Sequence, residues 1–300
     1  MEEGINIYFG ILPLAVPLMC RLELLGQGFH TEIAGLPVKV GLPEPPEDGQ
    51  DRLKAPQIVS RYDVSASWGE TAGDCAMIRT LFFGFQATEE EAERIWKEAG
   101  HWSAKLQNLC LLRYALPEDP EEEPGTGDEL QIYRMCMDGS ILLEHHRPEH
   151  ILPKLPPQGA PCSGEELEEL LEQVRSEEVI EQSYSVLLGA CRAYLDGDDY
   201  TAGVLGGTAV EMASAKYITT HEKEAREQAY GVILEDEKAA QFEMLARLGL
   251  EIPGSVEDRI ISVYGDMKYG RITPDHPTIR RFLEDCRQVM SICFPEYLIP

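Results

Sequence analysis

The sequence has little positive charge. Its 300 residues include 26 lysines and arginines against 53 aspartates and glutamates, which gives a formal net charge of −27. A field of this sign repels the phosphates of nucleic acids and of anionic lipids. The composition therefore argues against broad electrostatic binding of nucleic acid, and we expect no membrane partner.

The sequence also lacks paired cysteines and long apolar runs. Its eight cysteines include no C-x-x-C pair, so we expect reduced thiols rather than a disulfide scaffold or a zinc ribbon. The longest apolar run, Ile11 to Cys20, carries Pro13 and Pro17 and is too short to cross a bilayer. Residues 1–3 lack the basic stretch that opens a signal peptide. These absences predict a cytoplasmic protein.

Common catalytic motifs are missing as well. The chain has no G-x-x-x-x-G-K-[ST], G-x-G-x-x-G, G-x-S-x-G or H-E-x-x-H pattern. The densest group of possible metal ligands is formed by His145, His146 and His150. Adjacent histidines on a strand point to opposite faces, so this spacing favours an exposed strand end. We therefore predict no metal and no cofactor.

The length favours two domains, and the first, residues 1–147, has the pattern of a β-rich α+β domain. Short apolar stretches separated by Gly and Pro predict strands. They cover residues 5–12, 17–25, 32–42, 56–65, 76–85, 129–137 and 140–146. Apolar residues at three- and four-residue spacing predict one helix over about 92–112, after a capping box at 88–91. Asp138-Gly139 predicts a hairpin turn.

Residues 148–163 are rich in proline and predict a stiff linker, followed by a helical bundle over 164–300. A second capping box, Ser163 to Glu166, opens the bundle. Helical periodicity then predicts helices over about 179–195, 200–218, 222–248 and 255–267, and a last one after Pro277. Cys286 and Cys293 fall on the apolar stripe of that last helix and are predicted to be core side chains. The fold class is thus α+β.

Three features of residues 177–294 resemble the HEPN superfamily, the nucleotide-binding helical domain of higher eukaryotes and prokaryotes. The family's "gdy..A" turn between antiparallel helices is matched by Gly197 to Ala202. The glutamate of the next helix is matched by Glu211. The R-x4-6-H motif before the final helix is matched by Arg271 and His276. The resemblance implies a HEPN-like bundle for the second domain.

In active members of this family, the resemblance implies metal-independent RNA cleavage. Its catalytic pair would be Arg271 and His276, with the imidazole moving protons and the guanidinium stabilising the phosphorane. Active members commonly pair two such domains, which implies a homodimer through the helical domain. The basic residues near the motif would bind RNA or phosphate, with Lys268, Arg280 and Arg281 as the candidates.

The same residues also allow a structural interpretation. In it, Asp275 and His276 cap the last helix, and Arg271 pairs with a surface carboxylate. Glu211 then hydrogen-bonds to a partner such as Arg192 or Tyr184.

We therefore expect a HEPN-like protein that acts mainly as an interaction or accessory subunit with a protein partner. The family resemblance implies a prokaryotic source and a phage-defence or toxin–antitoxin type of system. One alternative is a metal-independent endoribonuclease that uses Arg271 and His276. Another is an acidic inhibitor that imitates nucleic acid and occupies a basic groove on its target.

Overall fold

The computed structural model describes residues 4–60, 69–113, 116, 129–136, 138–148, 161–175, 182–221 and 237–294. Contacts divide the chain into two compact units. The first comprises Met1–Cys110 and Pro120–Glu178, and the second comprises Leu111–Asp119 and Val179–Pro300. The first contains an antiparallel sheet and the second is mostly helical, so the predicted α+β class is confirmed.

The sheet of the first unit has the strand order β2-β3-β5-β1-β6-β7, with β4 paired to β5. All of its strand pairs are antiparallel. The strands are β1 (Asn6–Arg21), β2 (Gly28–Ile33), β3 (Leu36–Gly41), β4 (Gly69–Ala72), β5 (Cys75–Ala87), β6 (Glu129–Met135) and β7 (Ile141–Pro148). The predicted hairpin turn joins β6 to β7, and Gly139 has the positive φ of 80° that such turns require.

Strand β1 is continuous across the two prolines that separated its predicted pieces. Its register with β5 shifts between Pro13 and Leu18. Its pairing with β6 covers only Ile7 to Ile11. Proline has no N–H to donate to a ladder, so it is tolerated at bulges and beside unpaired edges. The strand therefore continues past the prolines, with a change of register between Pro13 and Leu18.

One face of the sheet is covered by helix α2 (Glu89–Arg113). Its predicted capping box is confirmed, because Thr88 N donates to Glu91 Oε2 at 2.9 Å and Glu91 N donates to Thr88 Oγ1 at 3.3 Å. Trp96 of the helix stacks on His145 of β7, with ring centroids 5.0 Å apart. The helix is thereby fixed to the last strands of the sheet.

The opposite face carries a core cluster that includes Phe9, Phe82, Tyr133 and Val59. Val59 belongs to the short helix α1 (Gln57–Ser60), so the strand predicted over 56–65 is wrong at these positions. β-branched side chains favour strands in general, but packing against the sheet decides the conformation here. The remainder of that predicted strand, residues 61–68, lies outside the described residues.

Helix α3 (Gly164–Arg175) is grouped with the sheet, whereas its sequence predicted the start of the helical domain. Lys105 Nζ donates to the carbonyl oxygen of Val174 at 3.0 Å, and Arg175 pairs with Glu32 of β2 at 3.6 Å. The difference arises because helical periodicity identifies an apolar face but not the surface that it packs against. Most of the predicted linker, residues 149–160, lies outside the described residues.

The second unit contains helices α4 (Gln182–Leu195), α5 (Asp199–Thr220), α6 (Glu237–Arg247), α7 (Gly254–Arg259), α8 (Gly265–Lys268) and α9 (His276–Cys293). A turn of π-helix, Ile260–Tyr264, joins α7 to α8 inside the single helix predicted there. The predicted helix over 222–248 is confirmed only for α6, since residues 222–236 lie outside the described part of the chain.

Helix α5 is rich in small residues, and two other segments approach its backbone closely at glycines. The backbone at Gly207 lies against the ring of Tyr264, and the backbone at Gly206 against Phe282 and Leu283 of α9. Glycine lowers helix propensity, but here it lets neighbouring side chains contact the helix backbone. The predicted close packing of this helix is therefore confirmed.

Helix α9 buries the apolar stripe that its sequence predicted. Cys286 and Cys293 are buried within the second unit, as expected of core side chains. The hydroxyl of Tyr184 in α4 donates to the carbonyl oxygen of Phe294 at 3.0 Å, next to the end of α9. Among the helices that the structure describes, every one is too short or too polar to span a membrane.

Candidate functional site

His276, the first residue of α9, connects two other helices of the second unit. Its Nδ1 atom lies 2.6 Å from Oδ1 of Asp199, the first residue of α5. Its ring stacks on that of Tyr194 in α4, with centroids 3.9 Å apart and planes 9° apart. The imidazole therefore holds together the ends of three helices.

The second ring nitrogen of His276 is enclosed. Nε2 is buried and has no hydrogen-bond partner among the described residues. The side chains of His276 and Asp199 are each 21% exposed. A general acid or base must come within about 3 Å of the proton that it transfers. In this arrangement Nδ1 contacts a carboxylate and Nε2 is not accessible to a substrate.

Arg271, the other residue of the R-x4-H motif, lies in the exposed segment before α9. Its guanidinium Nη1 is 3.5 Å from Oδ1 of Asp266, and the side chain is 67% exposed. The guanidinium carbon lies 5.1 Å from the ring centroid of Tyr269, which is itself 70% exposed. Arg271 and His276 thus have separate sets of partners.

Asp275 caps the start of α9 as the structural interpretation predicts, whereas His276 contacts Asp199 instead of capping the helix. Asp275 Oδ1 accepts a hydrogen bond from the N–H of Thr278 at 2.9 Å. Pro277 follows within the first turn, where its missing N–H costs no hydrogen bond. The geometry around Arg271, Asp275 and His276 is therefore that of a helix start and a surface ion pair.

Most of the basic residues near the motif contact carboxylates of the chain itself. Lys268 lies 3.4 Å from Glu211, and Arg280 Nε lies 3.3 Å from Glu284. Arg281 is exposed and forms no ion pair with the described residues. Of the three predicted phosphate-binding residues, two are paired internally and one projects from the surface.

Two further arginines of this region are also engaged. Arg259 forms a bidentate pair with Asp285, with distances of 2.6 Å and 2.8 Å. Arg287 is buried and donates to the carbonyl oxygen of Leu111 and to the sulfur of Cys191. These bonds hold helices of the second unit together and leave these two guanidinium groups less available to phosphate.

Glu211 contacts residues of the π-helical turn and of α8. It accepts a hydrogen bond from the hydroxyl of Tyr264 at 3.0 Å and lies near the ammonium of Lys268. Burial raises the pKa of Tyr264, and the Glu211 carboxylate raises the pKa of Lys268. The sequence suggested Arg192 or Tyr184 as a partner, and its periodicity does not reveal this bond to the π-helical turn.

Of the three histidines near the predicted linker, His145 contacts helix α2. His145 Nε2 lies 3.4 Å from Glu93 and its ring stacks on Trp96. His146 is exposed, and His150 lies outside the described residues. The part of the chain that the structure describes contains no group of three His, Cys, Asp or Glu residues able to hold a metal.

A second candidate site, which the sequence analysis missed, lies in the first unit. A cavity of about 300 Å³ opens on the face of the sheet that carries α1. Gly28, Gly41 and Gly84, on three neighbouring strands, line it together with Lys39. Glycine in a strand often marks a place where another group comes close, and this signal was present in the sequence.

Comparison of the chain with family models, curated proteins and solved structures finds no match. The HEPN resemblance therefore rests on the residues quoted from this sequence.

Proposed function

We propose that this chain is an interaction subunit that binds a basic protein partner and does not itself cleave RNA. The observation that carries the proposal is the pairing of Lys268, Arg271 and Arg280 with carboxylates of the same chain. These are residues that an RNA-cleaving site would need for phosphate. With them paired, positive charge at the motif is compensated locally.

The remaining charge of the chain supports a basic partner. A net charge of −27 gives a field that speeds the encounter with a positively charged protein and slows the encounter with phosphates. Exposed acidic side chains occur in both units, for example Glu168 and Glu169 in α3 and Glu251 and Asp258 around α7. Negative charge is therefore exposed in both units.

The HEPN-like character of the second unit remains part of the proposal. It is supported by the tight turn between α4 and α5, where Gly197 has a φ of 76° and the carboxylate of Asp198 caps α5. It is further supported by the last helix, which begins at the histidine of the motif. Under this proposal the bundle is a scaffold for partner binding within a defence or toxin–antitoxin type of system.

The test is to isolate the tagged chain from its native host and to identify what is bound. The proposal predicts a stoichiometric protein with an excess of Lys and Arg, retained at about 0.1 M salt and released at about 0.5 M, where charges are strongly screened. A tagged acidic protein of equal net charge and different fold is the control bait. A chain that binds nothing, or the same proteins as the control, contradicts the proposal.

The same isolation tests the inhibitor alternative. If the partner is a nucleic-acid-binding protein and its nucleic acid competes with the chain for it, the chain acts as a nucleic-acid mimic. If nucleic acid does not compete, the chain acts as an accessory subunit.

One observation favours the endoribonuclease as a second candidate function. A carboxylate on Nδ1 of a histidine, as Asp199 provides for His276, fixes the tautomer whose Nε2 can act as a general base. Because Nε2 is enclosed in this structure, this candidate also requires the start of α9 to move before Nε2 can reach RNA. That candidate predicts cleavage of RNA by the purified chain in EDTA, lost in His276→Ala and Arg271→Ala. Our proposal predicts background cleavage by all three proteins.

A further inference from the structure

The cavity in the first unit is floored by the backbone of adjacent strands. Gly28 pairs with Gly41, Gly41 pairs with Phe82, and Lys39 pairs with Gly84 in the antiparallel ladders. Directly paired residues place their side chains on the same face of a sheet. Glycines at these positions therefore leave one patch of this face without side chains.

The floor is open and not filled by neighbouring groups. The nearest atom to a Cβ added at Gly84, apart from the adjacent residues, would be the carbonyl oxygen of Tyr8 at 3.8 Å. For a Cβ added at Gly41, the shortest such distance would be 3.9 Å. Ordinary strand residues fit there and would fill the space. The cavity thus depends on the absence of side chains at these two positions.

The walls of the cavity are apolar and aromatic. They include Phe9, Phe82 and Val59, which belong to the core cluster of the first unit, and Ile58 of α1. Ile58 is 49% exposed although its neighbour Val59 is buried. A flat apolar group lying on the glycine floor would cover Ile58 and contact the rings.

Lys39 supplies the charge at this site. Its aliphatic stem lies across the backbone of Gly28, along the edge of the cavity. It forms no ion pair or hydrogen bond with the described residues. The other polar side chains at the cavity are engaged, because Glu44 Oε1 accepts the N–H of Gln57 at 3.2 Å and Gln27 Nε2 donates to the carbonyl oxygen of Glu23 at 2.7 Å.

We propose that this cavity binds a small molecule with a flat, apolar body and one carboxylate, which pairs with the ammonium of Lys39. A volume of about 300 Å³ lies at the lower end of the range for ligand sites and suits a ligand with one ring or two fused rings. Distant acidic residues do not prevent this, because charges more than about 10 Å apart are largely screened at physiological salt. The nearer carboxylate of Glu44 accepts the N–H of Gln57. The inference is independent of the proposed protein partner.

The test uses naphthalene-2-carboxylate as the probe, with naphthalene-2-methanol as its neutral counterpart, in isothermal titration calorimetry. The wild type is expected to bind the acid more tightly than the alcohol. Lys39→Met should weaken binding of the acid about tenfold or more and leave that of the alcohol unchanged, because a charge-assisted bond is lost. Lys97→Met, at an exposed lysine of α2, is the matched control and should change neither.

A second variant tests the position of the ligand. Gly84→Val fills the floor and should abolish binding of both probes, with a melting temperature at or above that of the wild type. If Gly84→Val melts below the wild type, Gly84→Ala is used instead, because it adds only one methyl group in open space. Gly84→Ala should weaken the binding of both probes. No binding by the wild type, equal affinity for acid and alcohol, or full binding by a folded Gly84 variant overturns the inference.

Discussion

Nδ1 of His276 lies 2.6 Å from Oδ1 of Asp199, and the imidazole ring rests on that of Tyr194. The contact joins the starts of α5 and α9 to the end of α4. It uses one ring nitrogen for the carboxylate and buries the other. His276 is thus placed to stabilise the helical unit, which makes its removal a test of structure as well as of function.

His276→Ala should lower the stability of the helical unit by about 1–3 kcal/mol, because it removes a charged hydrogen bond and an aromatic stack. Chemical denaturation followed by circular dichroism measures the loss. His30→Ala, at an exposed position of β2, serves as the control and should change stability little. An unchanged denaturation midpoint in His276→Ala would show that the contact is dispensable.

Gly207→Ala should destabilise the second unit by about 1–3 kcal/mol, because the added methyl group would overlap the ring of Tyr264. Gly189→Ala is the matched control on α4, where the nearest atom to the new methyl group is Leu205 Cδ1 at 3.5 Å. That variant should be neutral or more stable by up to about 1 kcal/mol, since alanine is the better helix former. Equal effects of the two variants in urea denaturation would contradict the packing described for α5.

The cap at Asp275 should make the helical unit less stable in acid. Hydrogen bonds from the side chain and the N–H of Thr278 hold the pKa of Asp275 below its ordinary value. The native state then binds fewer protons than the unfolded state, so the contribution is present above the ordinary carboxyl pKa of about 3.9 and is lost as the pH falls through the lowered pKa.

Asp275→Asn isolates this effect, because asparagine is also a good N-cap but does not titrate. The melting temperature of the wild type relative to this variant should fall between pH 7 and about pH 2.5. A difference that is independent of pH would show that Asp275 does not carry the shift.

The thiols should divide into two classes of reactivity. Burial raises the pKa of Cys20 and of Cys293 to about 12, and the thiolate is the reactive form. Only Cys75 and Cys136 are partly exposed, and the other six cysteines are buried. A disulfide reagent should therefore modify at most two thiols rapidly in the native chain and all eight after denaturation. Rapid reaction of more than two would contradict the burial of the other six thiols.

The sequence predicted the features that local chemistry determines. The capping box of Ser163 and Glu166 is present, with Ser163 N donating to Glu166 Oε2 at 2.6 Å, and α9 buries its stripe as expected. Both depend on residues within a few positions of each other, so spacing alone reveals them.

Features that depend on distant residues could not be predicted in the same way. Asp199 and His276 are 77 positions apart, and Glu211 finds its partner 53 positions away in Tyr264. The glycine floor combines strands whose register is set by the whole sheet. The sequence places helix α3 with the helical domain, whereas contacts group it with the sheet, because an apolar helix face fits more than one surface.

The most direct test of the central claim is the affinity of the purified chain for a fluorescently labelled, short single-stranded RNA at about 50 mM salt, where electrostatic binding to phosphates is strongest. Because Lys268, Arg271 and Arg280 pair with the chain's own carboxylates, we expect no rise in fluorescence anisotropy. Saturable binding that Arg271→Ala or Lys268→Ala abolishes would contradict it.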